Sequence, residues 1–198
     1  MNKHFEKEQR SIGFSVVCAL AGCLIFTDAS IANDDADSLV NASGVYTLVN
    51  LHPDQENKRL YSVNYQLPYL IPVCTEVMIT KLKKKRMNFK VVETGIEYEY
   101  NWHKKANPGG LKENVLLNFG SECPQEEIKT LSEVDQAGIK TGRASEGMTR
   151  RGIIIAMGYP PPHVTPNLDM DQWMYWMNRF NRNAVMFGED GTVESIVN

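Results

Sequence analysis

Three histidines beyond residue 32 are the side chains best suited to acid–base chemistry near neutral pH. They are His52, His103 and His163. None of them stands in a G-x-S-x-G or H-E-x-x-H motif, or in a Cys–His nucleophile signature. We interpret each as a surface or turn residue, and the sequence therefore predicts no catalytic residue.

Carboxylates and thiols are equally sparse in metal-binding patterns. The segment NLDMD, Asn167–Asp171, offers two carboxylates at alternate positions, but the other ligands of a calcium loop are missing. Cys74 and Cys123 have no second Cys or His at the spacing of a zinc site. We expect a polar loop at NLDMD, no metal site and no cofactor.

The N-terminus has the pattern of an export signal over residues 1–32. A charged segment, MNKHFEKEQR, precedes the apolar run SIGFSVVCALAGCLIF, which is too short for a comfortable membrane span. LAGC at 20–23 resembles a lipobox and predicts lipidation of Cys23, whereas SIA predicts ordinary cleavage after Ala32. The first gives an outer-membrane lipoprotein facing the periplasm and the second a soluble periplasmic protein; an uncleaved anchor is the third alternative. Residues 33–43 are expected to form a flexible tether.

Cys74 and Cys123 are the two cysteines that remain beyond the signal, and export would place them in an oxidising compartment. An oxidising compartment favours one disulfide between them, and two buried free thiols are the alternative. In the chain-entropy model a loop of this length stabilises the fold by about 4 kcal/mol.

Composition indicates a globular protein without affinity for nucleic acid. The 198 residues are 42% hydrophobic and 23% charged, with a formal net charge of −3. This charge gives no electrostatic reason to expect a nucleic-acid partner. The basic run KLKKKR, Lys81–Arg86, is either a patch for anionic lipid or another polyanion, or a solvated hairpin tip or edge strand.

Residues 44–120 form the first of two regions with different periodicity. Several segments alternate apolar and polar residues, the period of a half-buried strand. Turn signals such as HPDQEN and ANPGG separate them. We predict a small barrel-like, SH3-like region without helices, from six strands: VYTLVNL, RLYSVNYQL, TEVMITKL, MNFKVVET, IEYEYNW and NVLLNF.

Residues 123–198 form the second region. Pro124 in a first turn and apolar residues at helical spacing predict one helix that ends at Gly138. Thr149 is a good N-cap for a second helix, which Gly158 ends. QWMYWMNRF, NAVMF and TVESIV predict three strands. The order helix, helix, β-meander predicts a two-layer domain and an α+β fold for the whole chain.

The second helix begins unusually, with Arg150, Arg151 and Gly152. The helix dipole disfavours cations in a first turn, and glycine inside a helix costs about 1 kcal/mol relative to alanine. One hypothesis is an anion-binding site in which free amides act with Arg150, Arg151 and Arg143. The alternative is two solvated arginines and a glycine that permits close packing.

The strand QWMYWMNRF is apolar on both faces. Alternation places Trp173, Tyr175 and Met177 on one face. The other face carries Met174, Trp176 and Phe180. Helices cover only one face of a two-layer domain, so a large apolar patch would remain on the second. We therefore predict a cover for Met174, Trp176 and Phe180, either the β-rich region or a binding partner.

These C-terminal motifs resemble the SmpA/OmlA (BamE-like) domain of bacterial envelope lipoproteins, over roughly Glu126 to Asn198. Gly152 departs from the family pattern, where a polar helix former is usual, and a β-rich region precedes the domain. The resemblance implies a non-catalytic binding domain in the cell envelope. The matching residues are Gly147, Met148, Thr149, Gly158, Pro160, Trp173, Tyr175, Phe187, Gly191 and Val193.

The expected function is that of a non-catalytic envelope protein that binds an envelope protein or an anionic envelope component, with a link to outer-membrane assembly. The alternative is a periplasmic enzyme or protein inhibitor whose active surface lies in the β-rich region. If the envelope protein is lipidated at Cys23, we also expect it to contact the membrane through that lipid anchor.

Overall fold

Residues 35–198 are described by a computed structural model of the chain. The expected export signal, the lipobox cysteine Cys23 and the cleavage point after Ala32 lie outside the described residues. Within that range the fold is α+β, with nine strands and four helices.

The first sheet has six strands in the order β2-β5-β4-β3-β1-β6, and only the β2–β5 pair is parallel. Ile79, Met87 and Phe89 alternate with exposed residues and point into the core, as the period-2 pattern predicted. The strands are β1 (Val45–Thr47), β2 (Arg59–Tyr61), β3 (Glu76–Leu82), β4 (Arg86–Val91), β5 (Glu97–Asn101) and β6 (Phe119–Gly120).

The sixth predicted strand, NVLLNF, is wrong. Its residues lie mostly in helix α1 (Leu111–Asn118), which passes directly into the two-residue strand β6. The buried residues of α1 are Leu111, Asn114, Val115 and Asn118, at the i, i+3, i+4, i+7 spacing of a helix face. Because two of these four are asparagines, the apolar pattern alone does not display the helical period.

The single helix predicted to end at Gly138 is also wrong. Two helices, α2 (Gln125–Thr130) and α3 (Glu133–Thr141), are separated by Leu131 and Ser132. Ser132 is the N-cap of α3, and its hydroxyl accepts the backbone N–H of Asp135 at 3.1 Å. The helix ends at Gly142, whose φ of 67° lies in the left-handed region that glycine adopts without strain.

Helix α4 (Arg150–Met157) begins and ends as predicted. The Thr149 hydroxyl accepts the Gly152 N–H at 3.0 Å, and Gly158 follows the last turn with a φ of 74°. The isoleucines are buried, so this helix is core. The predicted meander is confirmed as β7 (Gln172–Trp176), β8 (Arg182–Phe187) and β9 (Val193–Val197), all antiparallel.

Buried residues of both regions belong to one hydrophobic cluster. Asn50, a buried polar residue, connects the two regions through hydrogen bonds. Its backbone N–H donates to the carbonyl of Ile155 at 2.8 Å. Its side chain donates to the carbonyl of Ile139 at 2.6 Å and accepts the N–H of Val73 at 2.8 Å. A buried amide is costly unless its groups are paired, so Asn50 fixes how the helices lie on the first sheet.

A disulfide joins Cys74 to Cys123, with the Cα atoms 4.9 Å apart and a separation of 49 positions in sequence. Cys74 precedes β3, and Cys123 lies between β6 and α2. The predicted pairing is therefore present, and it links the two regions covalently.

Candidate functional site

Arg150 holds the loop before β7. Its guanidinium donates to the carbonyls of Leu168 and Met170, at 3.1 and 2.6 Å, and to the Asp171 carboxylate at 3.0 Å. It also lies 4.2 Å from the ring centroid of Phe187. The polar loop predicted at Asn167–Asp171 is thus held by hydrogen bonds from Arg150, and this arginine stabilises the fold.

Arg151 is paired as fully as its neighbour. It forms a two-pronged ion pair with Glu127 of α2, with both N–O distances 2.6 Å. The hydrogen bond from Arg151 lowers the pKa of the Glu127 carboxyl below its usual value. Arg143, by contrast, is exposed, and no carboxylate among residues 35–198 pairs with it.

The N-terminus of α4 already holds an anion from the same chain. Asp135 of α3 is fully buried, and its carboxylate accepts the N–H of Thr149 at 2.8 Å. The Thr149 and Ser132 hydroxyls lie within 3.1 and 2.8 Å of the same carboxylate. An oxyanion at this place has the helix dipole and a backbone donor as partners. A carboxylate of the same chain therefore lies where the hypothesis of an anion site with Arg143, Arg150 and Arg151 requires a free helix end.

The predicted aromatic face divides into a half-buried part and an exposed part. β7 ends at Trp176, so Phe180 lies in the loop to β8 and not in the strand. The side chain of Asn178 accepts the N–H groups of Phe180 and Asn181, at 2.8 and 3.0 Å, which turns the chain there. Met174 is half-buried. Phe180 keeps 74% of its surface exposed.

Trp176 is covered by its own chain. Its ring stacks on His163 with centroids 6.2 Å apart, and the guanidinium of Arg182 lies 5.0 Å from it. Its carbonyl accepts the N–H of Gln66, from the first region, at 2.8 Å. The indole N–H is buried without a hydrogen-bond partner among the described residues. The cover that the sequence required for Trp176 is therefore intramolecular.

Phe180 borders an open depression of about 770 Å³ on the second sheet. Met174 and Val197 line it too, and Val197 is 54% exposed. Among the described residues the charged side chains at this depression are Arg182, which lines it, and Arg179, which lies 4.5 Å from the Phe180 ring. This surface, termed the Phe180 face, combines apolar side chains with the amides of Gln172, Asn181, Asn183 and Asn198, and arginines border it.

The basic run forms the turn of the β3–β4 hairpin. The Lys83 N–H donates to the Arg86 carbonyl at 2.8 Å, which closes the turn. Because β3 lies between β4 and β1, the run does not belong to an edge strand. Arg86 pairs with Glu99 at 3.4 Å, while Lys83, Lys84 and Lys85 are exposed.

His52 is buried, and its interpretation as a surface histidine is wrong. It is 8% exposed, with Nδ1 3.2 Å from the Leu67 carbonyl and Nε2 3.4 Å from the Ala156 carbonyl. Burial lowers the pKa of His52, and the charge of Arg143 lowers it further, although the two carbonyls act in the opposite direction. His103 and His163 are exposed, in agreement with the sequence.

A cavity of about 260 Å³ lies where three segments meet, and the sequence did not reveal it. We term it the central cavity. One wall is β2 and the loop after it, with Tyr61 and Tyr65. Helix α1 forms a second wall with Asn114, Leu117 and Asn118, and the loop after α4 forms the third with Pro160, Pro161, Pro162, Pro166 and Leu168.

Asn64 places the proline-rich wall against the first region. Its side-chain amide donates to the carbonyls of Met157 and Tyr159, at 2.8 and 2.9 Å. Its own φ of 56° is unusual for a residue other than glycine, and asparagine tolerates this region better than most. The signal that could have suggested this wall is the run of three prolines, whose fixed backbone angle makes a rigid surface.

Within residues 35–198, no group of three or more His, Cys, Asp and Glu side chains is arranged to hold a metal ion. The helices of that range are all too short or too polar to cross a bilayer. Comparisons of the chain with family models, with curated proteins and with solved structures give no match.

Proposed function

We propose that this chain is an exported, non-catalytic protein of the bacterial envelope that binds another envelope protein through the Phe180 face. The observation that carries the proposal is the exposure of Phe180, at 74%, beside Val197 and Met174. Apolar surface of this kind is costly in water, and aromatic side chains tend to supply the binding energy of interfaces.

The charges around Phe180 indicate the kind of partner. Arg179 and Arg182 border the apolar surface, and neither pairs with a carboxylate among the described residues. A partner with an apolar protrusion surrounded by carboxylates complements such a surface. This agrees with the expectation of an envelope protein or an anionic envelope component.

The proposal extends to the family. The order α3, α4, β7, β8, β9 and the cap at Thr149 support an SmpA/OmlA (BamE-like) domain over residues 123–198. The antiparallel strands β3, β4 and β5 are compatible with the SH3-like outline proposed for residues 44–120. A role near outer-membrane assembly is part of the same proposal.

Photocrosslinking in intact cells tests the binding surface. A photoreactive benzoylphenylalanine in place of Phe180 should give one discrete protein adduct. The same group at Val92, an exposed residue of the first region at 46%, is the control and should give none. Arg179→Glu should reduce the adduct, whereas Arg179→Lys should preserve it. Equal adducts at both positions, or none at Phe180, would contradict the proposal.

The cellular location and the N-terminal processing are tested separately. A diacylglycerol-modified peptide that begins at Cys23 supports the outer-membrane lipoprotein. An unmodified peptide that begins at Asn33 supports the soluble periplasmic form instead, and mass spectrometry of the mature N-terminus distinguishes the two.

A further inference from the structure

We propose that the central cavity binds a neutral small molecule of up to three rings that carries a hydrogen-bonding group. The cavity holds about 260 Å³. This is roughly nine times the volume that one water takes in the liquid, about 30 Å³. Concave, mainly apolar sites with a few polar groups are the usual form of small-molecule sites.

The charge of the ligand follows from the walls. Among the described residues that line the cavity there is no Lys, Arg, Asp or Glu. His52 lines it too, but its lowered pKa makes the imidazole neutral at pH 7. A charged ligand would lose its hydration here without gaining a counter-charge, and that loss is costly.

The shape of the ligand follows from the rings around the cavity. Tyr61 and Tyr65 form an edge-to-face pair with centroids 5.6 Å apart. Three prolines on the loop after α4 line the same cavity and have fixed backbone angles: Pro160, Pro161 and Pro162. Flat apolar rings pack well against such side chains, because offset and edge-to-face contacts use the whole ring surface.

Asn107 supplies the specific polar group. It lines the cavity and is 8% exposed. None of residues 35–198 forms a hydrogen bond with its side-chain amide, although its backbone carbonyl accepts the Trp102 indole N–H at 2.9 Å. Asn114 differs, because its side-chain oxygen accepts the Tyr100 hydroxyl. Because no described protein group pairs with this amide, it is open to a hydrogen bond from a ligand in the cavity.

Two fluorescent probes with the same rings test the charge preference. N-phenyl-1-naphthylamine is neutral, and 8-anilinonaphthalene-1-sulfonate carries a sulfonate on the same skeleton. We expect saturable one-to-one binding of the neutral probe, with the sulfonate at least tenfold weaker. Equal affinities, or no saturable binding of the neutral probe, would overturn the proposal.

Variants at the rim locate the probe. Leu117→Trp and Leu168→Trp enlarge side chains on two different walls, at positions 38% and 36% exposed, and each should weaken the neutral probe at least tenfold. Val134→Trp on α3, at 41% exposure and outside the cavity, is the matched control and should not change the affinity. Melting curves verify that each variant folds. Unchanged binding in both rim variants would place the probe elsewhere and refute the site.

Displacement of the probe tests the role of Asn107. In the wild type 1-naphthol should compete at least fivefold better than naphthalene, and Asn107→Leu should remove that difference. Because Phe180 does not line the cavity, the photocrosslinking result and the probe result can fail independently.

Discussion

Gly152 and Asp135 approach so closely that a side chain at residue 152 has no room. A Cβ atom built on Gly152 would lie 1.8 Å from Asp135 Oδ1 and 2.5 Å from its Cγ. Thr149 is the N-cap of α4, and its backbone N–H donates to the same carboxylate at 2.8 Å. The unusual glycine in the first turn of α4 is thus explained by a buried carboxylate on the neighbouring helix.

Gly152→Ala should lower the free energy of unfolding by about 2 kcal/mol, since overpacking a core costs ~1–3 kcal/mol and exceeds the propensity gain of about 1 kcal/mol. Urea unfolding measures it. In the background of Asp135→Gly the same substitution should be neutral or stabilising, because the carboxylate and the Asp135 Cβ, which would lie 3.0 Å from the added Cβ, are both removed. If Gly152→Ala stabilises the wild type, the close approach described here is wrong.

The two arginines at the start of α4 should differ in importance. Arg150→Ala removes hydrogen bonds to two carbonyls and one carboxylate, and should cost about 2 kcal/mol. Arg151→Ala removes one ion pair whose side chains are 40% and 42% exposed, and should cost about 0.5–1 kcal/mol. Thermal unfolding of both variants at two salt concentrations gives the comparison. A larger loss for Arg151→Ala would reverse the assignment.

The disulfide should supply a large share of the stability. Replacing Cys74 and Cys123 together by serine opens a loop of 49 residues, and the chain-entropy model gives a loss of about 4 kcal/mol. Wild-type protein unfolded in reductant is the control and should unfold at a similar urea concentration. Alkylation of both thiols in unfolded, non-reduced protein would show that the bond is absent.

Substitution of Trp176 should lower the stability of the fold far more than substitution of Phe180. Trp176 is stacked on His163 and half-buried, so Trp176→Ala should cost about 2 kcal/mol. Phe180 is 74% exposed, so Phe180→Ser should change stability by less than about 0.5 kcal/mol. Melting temperatures of both variants measure this. A stability loss for Phe180→Ser equal to that of Trp176→Ala would show that Phe180 belongs to the core.

Local signals were sufficient for most of the second region. The cap at Thr149, the stop at Gly158 and the meander were predicted because each depends on neighbouring residues. Helix α1 was missed because asparagines occupy half of its buried face. Ser132 begins a new helix within an apparently continuous apolar pattern, and that continuity hid the local capping signal of Ser132 followed by Asp135.

The functional features depended more on tertiary structure. Exposure of Phe180 follows from the turn at Asn178, which no periodicity reveals. The central cavity is formed by segments distant in sequence, so composition did not indicate it. The partners of Arg150 and Arg151 lie in other elements, and only packing shows that these cations are not free.

His52 makes stability depend on pH in a defined direction. Its pKa in the folded protein is lowered from 6.5, chiefly by burial, so the unfolded chain binds the proton more readily. Stability is therefore complete above pH ~6.5 and is lost as the pH falls toward the pKa of the folded state. The carboxyls with lowered pKa values, Asp54, Glu127 and Asp190, act in the same direction but at lower pH, below their usual 3.8 to 4.5.

His52→Gln should remove most of the stability loss between pH 7 and pH 5, because glutamine keeps an N–H donor for a carbonyl but does not titrate. The measurement is the free energy of unfolding in urea at several pH values, with the slope compared between variant and wild type. His103→Gln, at an exposed histidine, is the control and should keep the wild-type slope. The absolute stability of His52→Gln can fall without affecting the test, since only the slope reports the proton. Parallel curves for His52→Gln and wild type would show that this histidine binds its proton equally well in the folded and unfolded states.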